Sequence, residues 1–216
     1  MCSRYRMEDR IWEALEEGFP EIAAEEREDR FRPFLSLRGD IRPSMSAPVL
    51  VQKRSEPAAS LESCRSMPEM KSCSWGFPDI QGKGLIINAR CETVLEKKLF
   101  SESVRNRRCL IPASGFYEWS QQKDPYFFTR KGAENRRSGL LLMAGFYRKW
   151  DGQDRFVILT TQANDSIKEI HPRMPLILTA EEGRKWLAED GSFVSLLKKR
   201  PEELDREPLG QLSLFL

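Results

Sequence analysis

An α+β fold is predicted by three observations. Short runs rich in β-branched and aromatic residues succeed one another from residue 85 to residue 178, punctuated by Gly and Pro at intervals typical of a mixed sheet or barrel. Both hairpins and helical patterns join these runs, and no regular strand–helix–strand repeat is present. A length of 216 residues, 40% of them hydrophobic, suits one domain with a sizeable core.

The elements can be assigned in chain order. Ile11, Trp12, Leu15 and Phe19 recur at helical spacing among acids, so Glu8–Phe19 reads as an amphipathic helix. Pro20 is placed to open a second charged helix that ends before Pro33. Residues 52–72 lack periodicity and read as a mobile loop. Strands are expected at Leu85–Asn88, Cys109–Ile111, Phe116–Trp119, Tyr126–Thr129, Leu140–Tyr147, Phe156–Thr161 and Leu176–Leu178, with a polar hairpin tip over Lys131–Gly139. Helical patterns return at Ala163–Ile170, Ala180–Glu189 and Phe193–Lys199. No internal repeat and no Gly-rich nucleotide loop is present.

Composition excludes several classes. The longest apolar run, Leu140–Tyr147, is too short to span a bilayer, and the N-terminus lacks a secretory pattern. A soluble cytoplasmic protein without a membrane partner is expected. Five cysteines (Cys2, Cys64, Cys73, Cys91 and Cys109) form no C-x-x-C pair, and there is one histidine. Neither a disulfide framework nor a metal centre is suggested. Charge is uneven: residues 8–29 hold ten acids and two bases, so the remainder of this +2 chain carries +10. That remainder suits an anionic partner; a solvated acidic helix plus scattered bases is the alternative.

Cys2 is the residue with the most distinctive chemistry. Removal of Met1 would leave an α-amine and a thiol on neighbouring carbons, a pair that condenses with aldehydes to an imine and then a thiazolidine ring. The α-amine has a reference pKa of about 7.7–8.0 against about 10.4 for lysine, so far more of it is neutral and nucleophilic near neutrality. Four further segments are dense in polar groups set against strands. They are Trp75-Gly76-Phe77-Pro78, Asn88-Ala89-Arg90-Cys91-Glu92-Thr93, Pro112-Ala113-Ser114-Gly115-Phe116-Tyr117-Glu118-Trp119 and His171-Pro172-Arg173-Met174-Pro175. Asn88 is expected to end a strand and cap a helix. Taken singly, each polar residue also has a structural reading, as a turn, a solvent-facing position or an ion pair.

Together with Cys2, in this order and approximate spacing, these segments resemble the SRAP (SOS-response-associated peptidase) family. The resemblance extends from Cys2 to about Leu197. It implies one SRAP-like domain over residues 2–207 with a barrel-like mixed sheet flanked by helices, and a function in sensing abasic sites in single-stranded DNA. The opened sugar presents an aldehyde, and an N-terminal cysteine exposed in a cleft would capture it as a covalent DNA–protein crosslink without a cofactor. By this resemblance Asn88 orients the Cys2 terminus, while Glu118 and His171 move protons near neutrality. Arg4, Arg90 and Arg173 would hold phosphates, and Trp75 and Trp119 would line the DNA path, a combination that binds strands of any sequence. The basic run Arg105–Arg108 would extend that track, unless Arg108 is structural. Two rival classes are an N-terminal-cysteine (auto)peptidase and a noncovalent single-strand-binding module.

Residues 208–216 read as a separate tail. Gln211-Leu212-Ser213-Leu214-Phe215 resembles the pentapeptide by which bacterial DNA polymerases and repair proteins engage the sliding clamp, with Gln211, Leu212, Leu214 and Phe215 as the contacting residues. A terminal strand folded onto the core is the alternative. The clamp would bring the protein to the nucleoid and the replication fork.

Overall fold

The computed structural model describes residues 2–8, 11–22, 38–52, 68–79, 81–132, 139–189 and 191–210. The chain opens with β1 (Arg4–Met7), α1 (Ile11–Gly18) and a single 3-10 turn at Pro20–Ile22. Then come β2 (Gly39–Ile41), β3 (Ser46–Gln52), β4 (Pro68–Trp75), β5 (Phe77–Pro78), β6 (Leu85–Ile86) and β7 (Asn88–Arg90). After α2 (Ser101–Asn106) come β8 (Arg108–Ala113), β9 (Gly115–Trp119), β10 (Pro125–Arg130), β11 (Leu141–Trp150) and β12 (Gln153–Gln162). β13 (Arg173–Pro175), β14 (Ile177–Leu178), α3 (Ala180–Leu187), α4 (Phe193–Leu196) and β15 (Leu204–Pro208) complete the fold.

β12, β4, β3, β8 and β11 pair in a closed ring, because β11 and β12 pair with one another as well as with β8 and β4. Ten residues let β12 serve four partners: β11 through Gln153–Ile158, β4 at Arg155–Phe156, β7 at Ile158–Thr160 and β13 at Thr160–Gln162. Closure removes the exposed strand edges that an open sheet would present. The β11–β12 hairpin turns on Asp151-Gly152 with φ of 47° and 81°. Positive φ at both central residues is what a tight two-residue hairpin needs, and Asp-Gly supplies it cheaply. A second sheet, in the order β15-β10-β9-β1-β2, lies beside the barrel.

α3 seals one side of the barrel. Thr179 and Glu182 form a reciprocal capping box, and buried Trp186 donates its indole N–H to the carbonyls of Cys109 (3.0 Å) and Gly145 (3.2 Å). Gly145 has to be glycine, since a Cβ there would lie 2.6 Å from the Val157 carbonyl. Arg108 is 6% exposed and donates to the carbonyls of Trp186 (2.6 Å), Ala188 (2.6 Å), Val104 (3.1 Å) and Arg105. A guanidinium committed to four carbonyls pins α2 to α3, so Arg108 is structural and does not belong to a DNA track.

Several sequence expectations are corrected. Residues 52–72 are no continuous loop: Pro68–Trp75 is a strand that pairs along its length with β3, and its alternation is disguised by short polar side chains. Ala163–Ile170 is a succession of turns, because the Asn164 side chain accepts from both the backbone N–H and the hydroxyl of Ser166, competing with regular helix. Asn88 caps no helix; it begins β7, and the residues after Arg90 form turns. The Leu85–Asn88 strand is split at Ile87 into β6 and β7. Of the expected Pro20–Pro33 helix only the first turn lies within the described residues, and the 133–138 part of the hairpin tip lies outside them.

Candidate active site

Two sheets meet at Cys2. β1 pairs antiparallel with β9, with Arg4 opposite Tyr117 and Tyr5 opposite Phe116. Carried back toward the N-terminus, that register sets Cys2 at the level of Glu118 and Trp119. From the barrel side, β7 runs parallel to β12 with Asn88 beside Ile158, and the Asn88 Nδ2 donates to the Cys2 carbonyl at 2.8 Å. A residue of the barrel thus grips the first described residue of the chain. The Asn88 Oδ1 is buried and has no hydrogen-bond partner among the described residues.

The Cys2 side chain is 1% exposed, not open in a cleft as expected, and its Sγ donates to the Arg4 carbonyl at 3.6 Å. Burial pushes the thiol well above the ordinary range, and the nearby Glu118 carboxylate pushes it further. The thiol is therefore protonated at neutral pH. Glu118 is itself 2% exposed, between the aromatic residues Tyr117 and Trp119 on β9. Gly115, which starts that strand, would place a Cβ 2.6 Å from the Phe128 carbonyl, so only glycine lets β9 lie this close to β10.

Arg4 is held above two rings, 5.3 Å from the centroid of Tyr117 and 5.6 Å from that of Trp119, with Asp40 3.5 Å away. The Tyr117 hydroxyl donates to the same carboxylate at 2.9 Å, and burial followed by Asp40 pushes its pKa up to about 12. Trp119 is half-buried. Trp75 is fully buried, stacked on Phe156 at 6.1 Å, with its indole N–H donating to the Ile87 carbonyl at 3.0 Å. That bond braces the residue before Asn88. The expectation that Trp75 lines a DNA path is corrected; it supports the site from below. Gly76, at φ 107°, lets the chain turn away immediately after it.

His171 lies in the turn before β13, and Arg173 begins that strand. The His171 Nδ1 lies 3.0 Å from both the backbone nitrogen and the carbonyl oxygen of Arg173, so the ring is held against its own turn through that nitrogen. Arg173 does not have an idle guanidinium. It forms a bidentate pair with Glu92, 2.6 and 2.8 Å, and donates to the Thr160 carbonyl at 2.6 Å. Arg90 ends β7 exposed, and no ion pair holds it among the described residues. Glu92 and Asp40 were missing from the candidate residues. Glu92 was visible only as an acid two positions beyond Arg90, whereas Asp40 comes from a strand far from every motif.

The tail residues Gln211, Leu212, Leu214 and Phe215 lie outside the described residues. No group of three or more His, Cys, Asp or Glu side chains able to hold a metal is formed among the described residues. Nor is any helix among them long and apolar enough to cross a membrane. The described cysteines, Cys2, Cys73, Cys91 and Cys109, are all free and buried.

A strand-end cysteine clasped by a barrel asparagine beside a buried carboxylate is a site drawn from three of the five segments singled out in the sequence, with Trp75 bracing the residue before Asn88. The family model for SOS response associated peptidase (SRAP) matches residues 1–211, and the chain belongs to that family. YoqW of Bacillus subtilis, named an abasic site processing protein, is 40% identical over 107 residues, covering 47% of each chain. HMCES of Gallus gallus, named likewise, is 31% identical over 190 residues, 74% of this chain and 55% of its own. The matched region thus spans about half the length of these curated relatives. A crystal structure of a protein from Bacteroides thetaiotaomicron shares the fold, with a TM-score of 0.75 at 24% identity over 100% of this chain and 95% of that one.

Proposed function

We propose that this protein processes abasic sites in single-stranded DNA by capturing them covalently through Cys2 once Met1 has been removed. The observation that carries this reading is the Asn88–Cys2 hydrogen bond beside the buried Glu118. The family membership and the names of the relatives support the lesion class.

The chemistry balances without a co-reactant. The neutral α-amine adds to the aldehyde of the opened sugar, and loss of water gives the imine. The thiol S–H then adds across the C=N bond: sulfur bonds to carbon and the proton ends on nitrogen. A thiol held protonated by burial suits this order, because the amine attacks first and the sulfur follows within the same residue. The same burial counts against a cysteine peptidase, which needs a lowered thiol pKa. Asn88 holds the Cys2 carbonyl and has its Oδ1 left over as an acceptor for the freed amine. Glu118 takes and returns the protons of ring opening and thiol addition, and His171 serves as the second acid–base group beside the sugar oxygens. Arg4, Arg90 and Arg173 take phosphates, and Trp119 stacks a base at roughly 1–3 kcal/mol. The tail residues Gln211, Leu212, Leu214 and Phe215 engage the sliding clamp and raise the local concentration at the fork; deletion of residues 211–216 should abolish clamp binding and leave crosslinking intact.

The test is incubation of protein, verified by intact mass to lack Met1, with oligonucleotides carrying an abasic site, its borohydride-reduced form or no lesion. A denaturing gel should show a shifted species with the aldehyde alone. No shift would refute the capture, and retention of all three strands under native conditions only would favour a noncovalent binding module.

A further inference from the structure

Glu92 occupies the fork that a phosphate would use. The two Arg173 nitrogens that face it form parallel bonds to its two carboxylate oxygens, 2.6 and 2.8 Å, the geometry in which arginine grips phosphate. The partners are unequally anchored. Arg173 sits in β13, its side chain is 14% exposed, and its Nη2 also donates to the Thr160 carbonyl on β12. Glu92 stands in the turn after β7 with its side chain 43% exposed. The guanidinium is thus fixed and the carboxylate replaceable. Arg90 also lies close enough to help Arg173 hold Glu92 below the usual carboxylate range. Glu92 also borders a groove of about 640 Å³ lined in part by Lys198, a cation toward which a displaced carboxylate can turn.

We propose that Glu92 is a built-in competitor for the DNA backbone, a carboxylate that a phosphate has to displace from Arg173 before the strand can seat. This rests on the reading of Arg173 as a phosphate ligand. Intact strands, which gain nothing covalent to offset the exchange, are held weakly; an abasic strand that stays long enough to react is retained by its bond to Cys2. Glu92 thereby sets the protein's discrimination between undamaged and damaged strands without touching the lesion.

The test uses an unmodified single-stranded oligonucleotide, so that its outcome is separable from the crosslinking reaction, with wild-type crosslinking to an abasic strand run alongside. Glu92→Gln should bind the unmodified strand about three- to tenfold more tightly at moderate salt, since Arg173 no longer has a charged partner to give up. The dependence of log K on log salt should change by less than about 0.7, because the phosphate seats on Arg173 in both proteins and the number neutralised is the same. In the Arg173→Ala background the same substitution should bring no gain. Unchanged or weaker binding by Glu92→Gln, with an unaltered melting temperature, would overturn the proposal and make Glu92 a brace for Arg173. A gain that persists without Arg173 would overturn it equally, by assigning the effect to net charge. If Glu92→Gln melts early, Glu92→Ala is read by the same affinity comparison, with and without Arg173. Loss of wild-type crosslinking would refute the capture by Cys2 and leave this affinity difference standing.

Discussion

Asn88→Ala isolates the contact on which the proposed capture depends. The substitution removes one hydrogen bond of 2.8 Å to the Cys2 carbonyl and leaves β7 otherwise paired, because the parallel ladder of residues 88–90 with β12 is made by the backbone. A neutral hydrogen bond contributes about 1 kcal/mol net, and a buried carbonyl left without its donor costs about 1–3 kcal/mol. A total near 2 kcal/mol has two places to appear. If Cys2 keeps its position, the loss falls on stability, and the melting temperature drops by about 4–8 °C for a chain of this size. If Cys2 swings away from Glu118 instead, the same 2 kcal/mol enters the barrier, and capture slows by about thirtyfold. The second outcome is expected, since Cys2 lies at the free end of β1, beyond its last paired residue. The assay is single-turnover crosslinking at saturating abasic oligonucleotide, paired with a thermal melt. A capture rate within about twofold of wild type, at whatever melting temperature, would refute the assignment of Asn88 as the clasp.

Further predictions address the reaction and the fold. Cys2→Ala keeps an amine but no thiol, so it should give no thiazolidine and yet yield an imine that borohydride traps; absence of a trapped species would remove the amine from the mechanism. Any residue retained before Cys2 turns that amine into an amide and should abolish both products, as intact-mass analysis of the DNA adduct would show. Stability should fall at alkaline pH. Burial raises the thiols of Cys2 and Cys109, and those of Cys73 and Cys91 to about 12, so all are protonated in the fold. Below the unfolded thiol pKa of about 8.5 both states are protonated and the stability is intact; above it the unfolded chain ionises first, at a cost of about 1.4 kcal/mol per pH unit for each thiol. Denaturant melts between pH 8 and about 10.5 test this, and a flat profile would contradict the burial. Arg108→Ala should destabilise by about 3 kcal/mol or more, because several buried carbonyls lose their donor; a large change in the salt slope of DNA binding with little loss of stability would return Arg108 to the DNA track.

How the site was legible differs residue by residue. Cys2 stood out by its own chemistry, whereas Asn88, Glu118 and His171 each had a structural reading singly and became candidates only through the family resemblance of their motifs taken together. The strands of the second half were legible because alternation and turn residues act over a few positions, as Asp151-Gly152 does at the head of β11 and β12. The β3–β4 pair was not, because the side chains of Lys71, Ser72 and Ser74 hide the alternation and pairing spans two segments some twenty residues apart.

The sequence by itself determined the inventory: the α+β class, a second residue that would carry an aminothiol once Met1 is removed, the carboxylate of Glu118, the imidazole of His171 and the arginines with their affinity for phosphate. Only the tertiary structure decided what each does with that affinity. Trp75 and Trp119 are the same side chain, yet one is fully buried and the other only half-buried. Arg108 and Arg173 carry the same guanidinium, spent on helix carbonyls in one case and on a replaceable carboxylate in the other. The reason is physical. A residue's chemistry belongs to its own atoms, whereas its burial and its partners are set by chain segments that only the closure of the barrel around β12 brings together.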